Sequence, residues 1–240
     1  MRSCKAFRLP WSLVVAASFA CGDDSSSSLD PISGAPDGGL TTVASGQIFR
    51  VPASGGHTGN VEVNGGAVEL PSGAELDGNI EVSDGGEARL ESGSRLDGNL
   101  TLSGASSASV QASSISGNIE VRSMSSLEMT GGTLNGNVDA AGSETIDLDG
   151  VSMDGNVQVE DSNVVNIANA DINGNIQCQL VSEATIASSM IRGDVQVEEV
   201  TMVEVMDNEI EQDLTIENVD QCTVRNNLVG GDADVGSCDD

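Results

Sequence analysis

The sequence is poor in aromatic residues and in positive charge. It has 3 Phe, 1 Trp and no Tyr, and only Phe49 of these lies outside residues 1–20. Lys and Arg number 9 against 38 Asp and Glu. Such a negative chain repels nucleic acid and anionic lipid headgroups, and the lack of aromatic rings disfavours a sugar-binding groove. The sequence therefore excludes nucleic-acid binding and gives little support to a lectin or a polysaccharide-cleaving enzyme.

Long apolar runs are also missing, because no segment approaches the roughly 20 apolar residues that span a membrane. The longest apolar stretch covers residues 9–20 and follows a basic head that contains Arg2, Lys5 and Arg8. A basic head followed by a short apolar run is typical of a secretory signal. Residues 1–20 are therefore predicted to be a cleaved signal peptide.

The end of this segment, Ser18-Phe19-Ala20-Cys21, resembles the lipobox of bacterial lipoproteins. The resemblance implies cleavage before Cys21, acylation of that cysteine and attachment to the bacterial cell envelope. Gly22 after the cysteine favours, by resemblance to enterobacterial sorting, the outer membrane, with the cell surface as one place of display. The alternative is an ordinary secretory signal in which Cys21 is incidental. Residues 21–39 have no periodicity and are predicted to form a flexible linker.

Removal of the signal peptide makes the charge imbalance larger. Residues 1–20 hold three of the nine basic residues and none of the 38 acidic ones, so the remaining chain has a formal net charge of −32. Charge of this size keeps a protein soluble and attracts divalent cations or basic partners.

One motif recurs through the chain: an aliphatic residue, a polar residue, Gly-Asn, and then aliphatic-polar-aliphatic. Leu76-Asp-Gly-Asn-Ile-Glu-Val82 is a clear copy. The glycine falls at residues 59, 78, 98, 117, 136, 155, 174, 193 and 231, and Gln212 takes its place once. Eight of the nine steps are 19 residues long, and the second is 20. A fixed period of this length indicates a repeat architecture.

Apolar residues within each period occur as i, i+2 pairs, such as Ile146 and Leu148, which is the spacing of a β-strand. Three short strands in 19 residues make one turn of a triangular coil, and stacked coils bury the aliphatic columns. The sequence predicts an all-β, single-stranded parallel β-helix of about ten coils over residues 40–240, including its end caps. Unequal gaps between the pairs favour the right-handed form, because left-handed β-helices keep a strict hexapeptide rhythm.

The asparagines after the glycines form one predicted column, in which stacked amides can hydrogen-bond as a ladder. Both Asn and Gly also tolerate the left-handed backbone that a sharp corner needs. The column comprises Asn60, Asn79, Asn99, Asn118, Asn137, Asn156 and Asn175. It continues as Asp194, Asp213 and Asp232, where either solvent screens the carboxylates or Ca²⁺ bridges them. No other cofactor is expected.

Residues near the two ends are predicted to cap the stack. Phe49 is placed to plug the first coil, and His57 is expected to be an end-cap side chain rather than a ligand. An oxidising compartment allows a disulfide between Cys222 and Cys238 near the C-terminus. Cys178 occupies an inward column and is predicted to be a core residue.

The Gly-Asn/Asp-aliphatic coils, such as Leu76-Asp-Gly-Asn-Ile, resemble those of bactofilins, bacterial filament proteins with a triangular β-helix. The resemblance covers residues 58–235 and implies end-to-end self-association. The chain departs from that family in its export signal and in its polar end, Val-Gly-Ser-Cys-Asp-Asp240. Arg192 also invites comparison with the arginine base of pectate-lyase-like β-helices, but the coils have no inserted loop to form a cleft.

Three function classes follow from this reading. The favoured one is a non-catalytic lipoprotein that acts as a rigid acidic structural or adhesive scaffold, with an unknown protein or glycan partner. The second is an end-to-end polymer of the bactofilin kind. The third, less favoured, is a β-helix that binds or cleaves polysaccharide.

Overall fold

The computed structural model describes residues 30–32, 34, 38–105, 107–236 and 238, and every regular element within them is a β-strand. The 32 strands form three parallel sheets of 11, 10 and 11 strands. The predicted all-β parallel solenoid is therefore confirmed. Residues 1–29, which include the predicted signal peptide and Cys21, lie outside the described part. Within that part, no helix is long and apolar enough to cross a membrane.

In each repeat, one strand directly follows the Gly-Asn motif, and the next strand along the chain belongs to sheet A. The strands of sheet A are β1 (Asp30–Ile32), β3 (Gln47–Arg50), β6 (Ala67–Leu70), β9 (Glu87–Leu90), β12 (Ser107–Gln111), β15 (Ser126–Thr130), β18 (Thr145–Asp149), β21 (Val164–Ala168), β24 (Glu183–Ala187), β27 (Met202–Met206) and β30 (Gln221–Arg225).

Sheet B holds the strands that directly follow the Gly-Asn motif. They are β2 (Thr41–Ala44), β5 (Val61–Asn64), β8 (Ile80–Ser83), β11 (Leu100–Ser103), β14 (Ile119–Arg122), β17 (Val138–Ala141), β20 (Val157–Glu160), β23 (Ile176–Gln179), β26 (Val195–Glu198), β29 (Leu214–Glu217) and β32 (Ala233–Asp234).

Sheet C holds the shortest strands, which directly precede the motif glycine. They are β4 (His57–Thr58), β7 (Glu75–Asp77), β10 (Arg95–Asp97), β13 (Ser114–Ile115), β16 (Thr133–Leu134), β19 (Ser152–Met153), β22 (Asp171–Ile172), β25 (Met190–Ile191), β28 (Glu209–Ile210) and β31 (Leu228–Val229).

One turn of the solenoid passes through one strand of sheet A, then one of sheet C, then one of sheet B. The register places Ser126 of β15 beside Thr145 of β18, a step of 19 residues. The step from Ile80 to Leu100 is 20 residues, as the longer repeat in the sequence requires. Neighbouring turns are therefore stacked in the register that the repeat predicts, about 4.8 Å apart.

The interior is a continuous column of aliphatic side chains. In β18, for example, Ile146 and Leu148 are buried, whereas the alternating residues Thr145, Asp147 and Asp149 face outward. The same alternation runs along the stack, and fully or nearly fully buried apolar residues extend from Val43 to Ile216. Because each coil is narrow, its interior accommodates Val, Ile, Leu and Met, and this explains the scarcity of aromatic rings.

The N-terminal boundary differs from the prediction. Asp30–Ile32, inside the predicted linker, forms β1 and pairs with β3, so the solenoid begins before residue 40 and has about eleven turns rather than about ten. Sequence periodicity fails here because β1 contains one aliphatic residue and Pro31, and proline cannot donate to a ladder. At an edge strand the missing donor is tolerated, and β1 is an edge of sheet A.

Two of the three corners contain non-glycine residues in the left-handed conformation. After sheet A these include Ala112, Asn169, Ser188, Asp207 and Asn226, and after sheet B they include Asp84, Ser123, Asp161, Leu180, Glu199 and Asn218. None of the ladder asparagines has a positive φ. The predicted left-handed backbone at the Gly-Asn corner is therefore wrong for the asparagines.

Candidate functional site: the polar columns and the two ends

The asparagines of the repeat stack on the surface as one column, but the main donor is the backbone. The N–H of Asn118 donates to Oδ1 of Asn99 at 2.8 Å, and the N–H of Asn137 donates to Oδ1 of Asn118 at 2.9 Å. Side-chain amides add contacts in some turns, such as Asn99 Nδ2 to Asn79 Oδ1 at 3.0 Å. Each side chain thus accepts from the next turn, and the column has a single direction along the axis.

The motif glycine is needed because two turns approach closely at this corner. A Cβ added to Gly174 would lie 2.5 Å from the carbonyl oxygen of Gly155 and 2.6 Å from Oδ1 of Asn156. Real Cβ atoms do not come this close to a backbone atom. Close packing between turns, rather than a left-handed backbone, therefore selects glycine at Gly174.

Asp194, Asp213 and Asp232 continue the same column. The N–H of Asp213 donates to Asp194 Oδ1 at 3.2 Å, and the N–H of Asp232 donates to Asp213 Oδ1 at 2.7 Å. A carboxylate oxygen replaces the amide oxygen because the ladder requires an acceptor. Across the described residues, no group of three or more His, Cys, Asp or Glu side chains is arranged to hold a metal ion. The Ca²⁺ hypothesis gains no support from this geometry.

A second, interior ladder was missed by the sequence reasoning. Asn208 is 3% exposed, and its Oδ1 accepts the N–H of Ser189 at 2.9 Å while its Nδ2 donates to the carbonyl of Ile186 at 2.8 Å. Asn227 repeats the arrangement one turn later: it accepts from the N–H of Asn208 and donates to the carbonyl of Val205. The interior ladder runs opposite to the surface ladder, since each side chain accepts from the preceding turn.

Arg192 lies on the outer face of sheet C among oxygen acceptors. Its guanidinium pairs with Asp171, donates to Asn173 Oδ1 at 2.6 Å, and lies 3.9 Å from Glu211. The hydrogen bond to Asp171 is the main cause that raises the pKa of Arg192. A raised pKa holds the guanidinium protonated, which opposes any role as a general base. The pair is surface-exposed, so solvent screens it and it contributes little to stability.

The C-terminal end is fastened by a disulfide between Cys222 and Cys238. Val219, Val224, Val229 and Val235 are partly buried against the end of the core beside it. Leu228, which faces outward from sheet C, is 66% exposed. A surface depression of about 410 Å³ lies here, lined by Met202, Val203, Glu204, Asp220, Gln221, Cys222 and Thr223. This end is apolar inside and has acidic groups at its rim.

Cys178 is a free thiol inside the core. Burial raises the pKa of this thiol to about 12. A thiol that stays protonated at physiological pH is a poor nucleophile, so Cys178 acts as an apolar packing residue.

The N-terminal end is closed by two rings. Phe49 is 2% exposed, and its ring meets the ring of His57 edge to face with centroids 5.0 Å apart. His57 Nε2 lies 3.3 Å from Oγ1 of Thr41. Both rings therefore occupy the capping positions that the sequence assigned to them.

Comparison with models of known protein families, with curated proteins and with solved structures finds no match to this chain.

Proposed function

We propose that this chain is an exported lipoprotein of the bacterial cell envelope that serves as a rigid, acidic structural or adhesive scaffold and catalyses no reaction. The observation that carries the proposal is the filled interior. Buried aliphatic side chains follow one another from Val43 to Ile216, and three sheets pair every turn to the next. Such a stack forms a stiff rod roughly 50 Å long at about 4.8 Å per turn.

The surface chemistry supports a mechanical or adhesive role. The charge of −32 after residue 20 keeps rods apart and in solution, and it favours partners that are basic or that bind through divalent cations. The partner, a protein or a glycan, would meet columns of repeated side chains rather than a cleft. The proposed lipid on Cys21 anchors the chain to the membrane. A short polar segment connects Cys21 to β1.

The test compares the full chain with its Cys21→Ser variant in bacteria fed with labelled palmitate. We expect label on the unaltered chain alone, and removal of the rod from intact cells by added protease. Release of the Cys21→Ser variant into the soluble fraction would support anchorage by this residue. Label without protease access would place the scaffold on the periplasmic side, and absence of label would reject the lipoprotein assignment.

End-to-end polymerisation is a second candidate, favoured by the C-terminal turn. Val224 and Val229 are partly exposed there, and in the described part no further strand pairs beyond β30, β31 and β32. An unpaired edge over an apolar core is a template for association. Sedimentation of the purified chain over a range of concentrations would give a growing size series if this candidate is correct, and a single species if it is not.

Polysaccharide binding or cleavage is the least supported class. Arg192 is held protonated among Asp171, Asn173 and Glu211, and the depression at the C-terminal end has no aromatic lining. A panel of acidic and neutral glycans that showed saturable binding or cleavage would overturn this judgement.

A further inference from the structure

His57 occupies an unusual place in the fold. It is the single histidine of the chain, and it lies in the inward column of sheet C, where β7 places Leu76 in register beside it. Later turns fill this column with aliphatic side chains: Leu96, Ile115, Leu134, Met153, Ile172, Ile191, Ile210 and Val229. The end of the hydrocarbon column is therefore formed by a group that can acquire a charge.

Gly34, two residues after the end of β1, lies directly over this ring. A Cβ built on Gly34 would lie 2.8 Å from Cε1 of His57, 3.0 Å from its Nδ1 and 2.9 Å from Cζ of Phe49. The backbone of Gly34 thus rests on both rings, and a larger residue there would have to displace them. Ile32 of β1 also packs partly against the core. Asp30–Ile32 and Gly34 form a cap, and we use the term N-terminal cap for these residues.

The neutral imidazole suits this position better than the charged one. Burial lowers the pKa of His57, because desolvation penalises imidazolium. The charged groups on the packed strands are Asp30 in β1, Arg50 in β3, and Glu75 and Asp77 in β7, and none of them is among the causes of the shift. Among the described residues, no carboxylate forms an ion pair with His57, whose ring nitrogen instead lies beside the hydroxyl of Thr41.

In the part of the chain that the structure describes, few other contacts hold the N-terminal cap. β1 has three residues, two of them exposed, and among the described strands it pairs only with β3. One further backbone bond runs from the N–H of Asp30 to the carbonyl of Gly46 at 2.8 Å. A short edge strand of this kind depends on its ring contacts, so a change of charge on the ring acts on the whole cap.

We propose that His57 is a proton-sensitive latch, which holds the N-terminal cap closed when neutral and releases it when protonated. Release uncovers the Phe49 ring and leaves the edge of β3 unpaired, which opens this end of the rod to strand addition. The sign follows from linkage: the open state binds the proton more readily than the closed state. The cap is fully closed above about pH 6.5, the ordinary histidine value, and it loosens as the pH falls below that value.

The test uses the full chain purified in detergent. The single imidazole is titrated by its Cε1–H signal in NMR, and hydrogen exchange of residues 30–34 and 47–50 is measured by mass spectrometry between pH 4.5 and 8, corrected for intrinsic rates. We expect the pKa of His57 to lie below about 6.5. As the pH falls, the protection of the cap should decrease by up to about tenfold for each unit by which the pKa of His57 in the closed state lies below the ordinary histidine value. Protection of β15 and β18 serves as the internal reference.

Two variants make the outcome decisive. His57→Phe keeps an aromatic ring that cannot be protonated, so its cap should stay protected throughout the pH range. Gly34→Ala pushes the cap off the rings, so the pKa of His57 should return toward its ordinary value and cap protection should be low at every pH. The proposal is overturned if His57 titrates at its ordinary value in the unaltered chain, if cap protection does not follow its titration, or if His57→Phe shows the same pH-dependent loss.

Discussion

The N–H of Asn137 donates to Oδ1 of Asn118, one turn earlier, at 2.9 Å. This bond crosses from a backbone donor to a side-chain acceptor, and it recurs along the surface column as far as Asp232 and Asp213. Each repeat therefore places an oxygen acceptor at this corner. Because both an amide and a carboxylate supply such an oxygen, the column changes from Asn to Asp without loss of the ladder.

Two substitutions of Asn118 distinguish the contribution of the acceptor oxygen from that of the complete amide group. Asn118→Asp keeps the oxygen that accepts from Asn137, so the free energy of unfolding should change by less than about 0.5 kcal/mol; Asn118→Ala removes the acceptor and should cost about 1 kcal/mol. Urea denaturation and hydrogen exchange at Asn137 measure the two effects. Asn135→Ala, at an exposed neighbouring position, is the matched control and should be nearly neutral. Equal losses for Asp and Ala at residue 118 would show that the amide group matters more than the acceptor.

Gly174→Ala should be severely destabilising. The added methyl group would overlap the carbonyl of Gly155, and neighbouring turns cannot separate without breaking the ladders of β22, β23 and their partners. We expect a loss of about 3 kcal/mol, the upper end of the usual range for overpacked sites, because the obstructing atoms are backbone. Gly73→Ala is the control, because Gly73 has φ of +75° with open space around it and should lose only about 1 kcal/mol from backbone strain. Similar losses at both sites would contradict the role assigned to close approach.

Asn208→Ala tests the interior ladder. The change leaves the N–H of Ser189 and the carbonyl of Ile186 buried without their partner, which should lower the free energy of unfolding by about 2–3 kcal/mol. Asn208→Ser should recover part of the loss, since Ser189 occupies the same column one turn earlier. Asn226→Gly is the control: glycine keeps the left-handed backbone of this corner, so the free energy of unfolding should hardly change. Hydrogen exchange at Ser189 would show whether the effect is local, and unchanged protection in Asn208→Ala would reject the ladder.

Reduction of the Cys222–Cys238 disulfide should loosen the last turn. The bridge closes a separation of 16 residues, for which chain entropy gives about 3 kcal/mol. Exchange in β30, β31 and β32 should rise after reduction, while that in β15 should not. Cys222→Ser should reproduce the effect. Non-reducing mass spectrometry that found both thiols free in the exported protein would contradict the bridge.

Cys178 should resist alkylation in the folded chain. Burial keeps the reagent away from the thiol and raises the pKa of the thiol to about 12, so almost no thiolate is present at pH 8. Iodoacetamide should modify Cys178 only after denaturation. Rapid labelling of the native chain would show that the core opens near β23.

The fold could be predicted from the sequence because the same apolar pattern, and therefore the same strand, recurs in every turn. Pairs such as Ile146 and Leu148 fix the strands, and the 19-residue period fixes which residues lie side by side. The approach of Cys222 and Cys238 could also be anticipated, since their separation is close to one period.

The polar detail could not be predicted in the same way. Asn208 and Asn227 follow strand ends, where this chain places Asn, Asp and Ser at many exposed corners, so composition does not distinguish a buried amide from a surface one. The direction of a hydrogen bond and the fold of Gly34 over His57 depend on three-dimensional packing, which leaves no periodic trace in the sequence.

The most direct test of the stacked solenoid is a set of distances between spin labels along one outward column of sheet B. With one label at Glu62 and a second at Asp139, Gln177 or Thr215, the register places the labels four, six or eight turns apart. Pulsed electron resonance should give distances of about 19, 29 and 38 Å, which rise in proportion to the number of turns at about 4.8 Å each. Distances that fail to increase along this series, as in an antiparallel sandwich, would contradict the account.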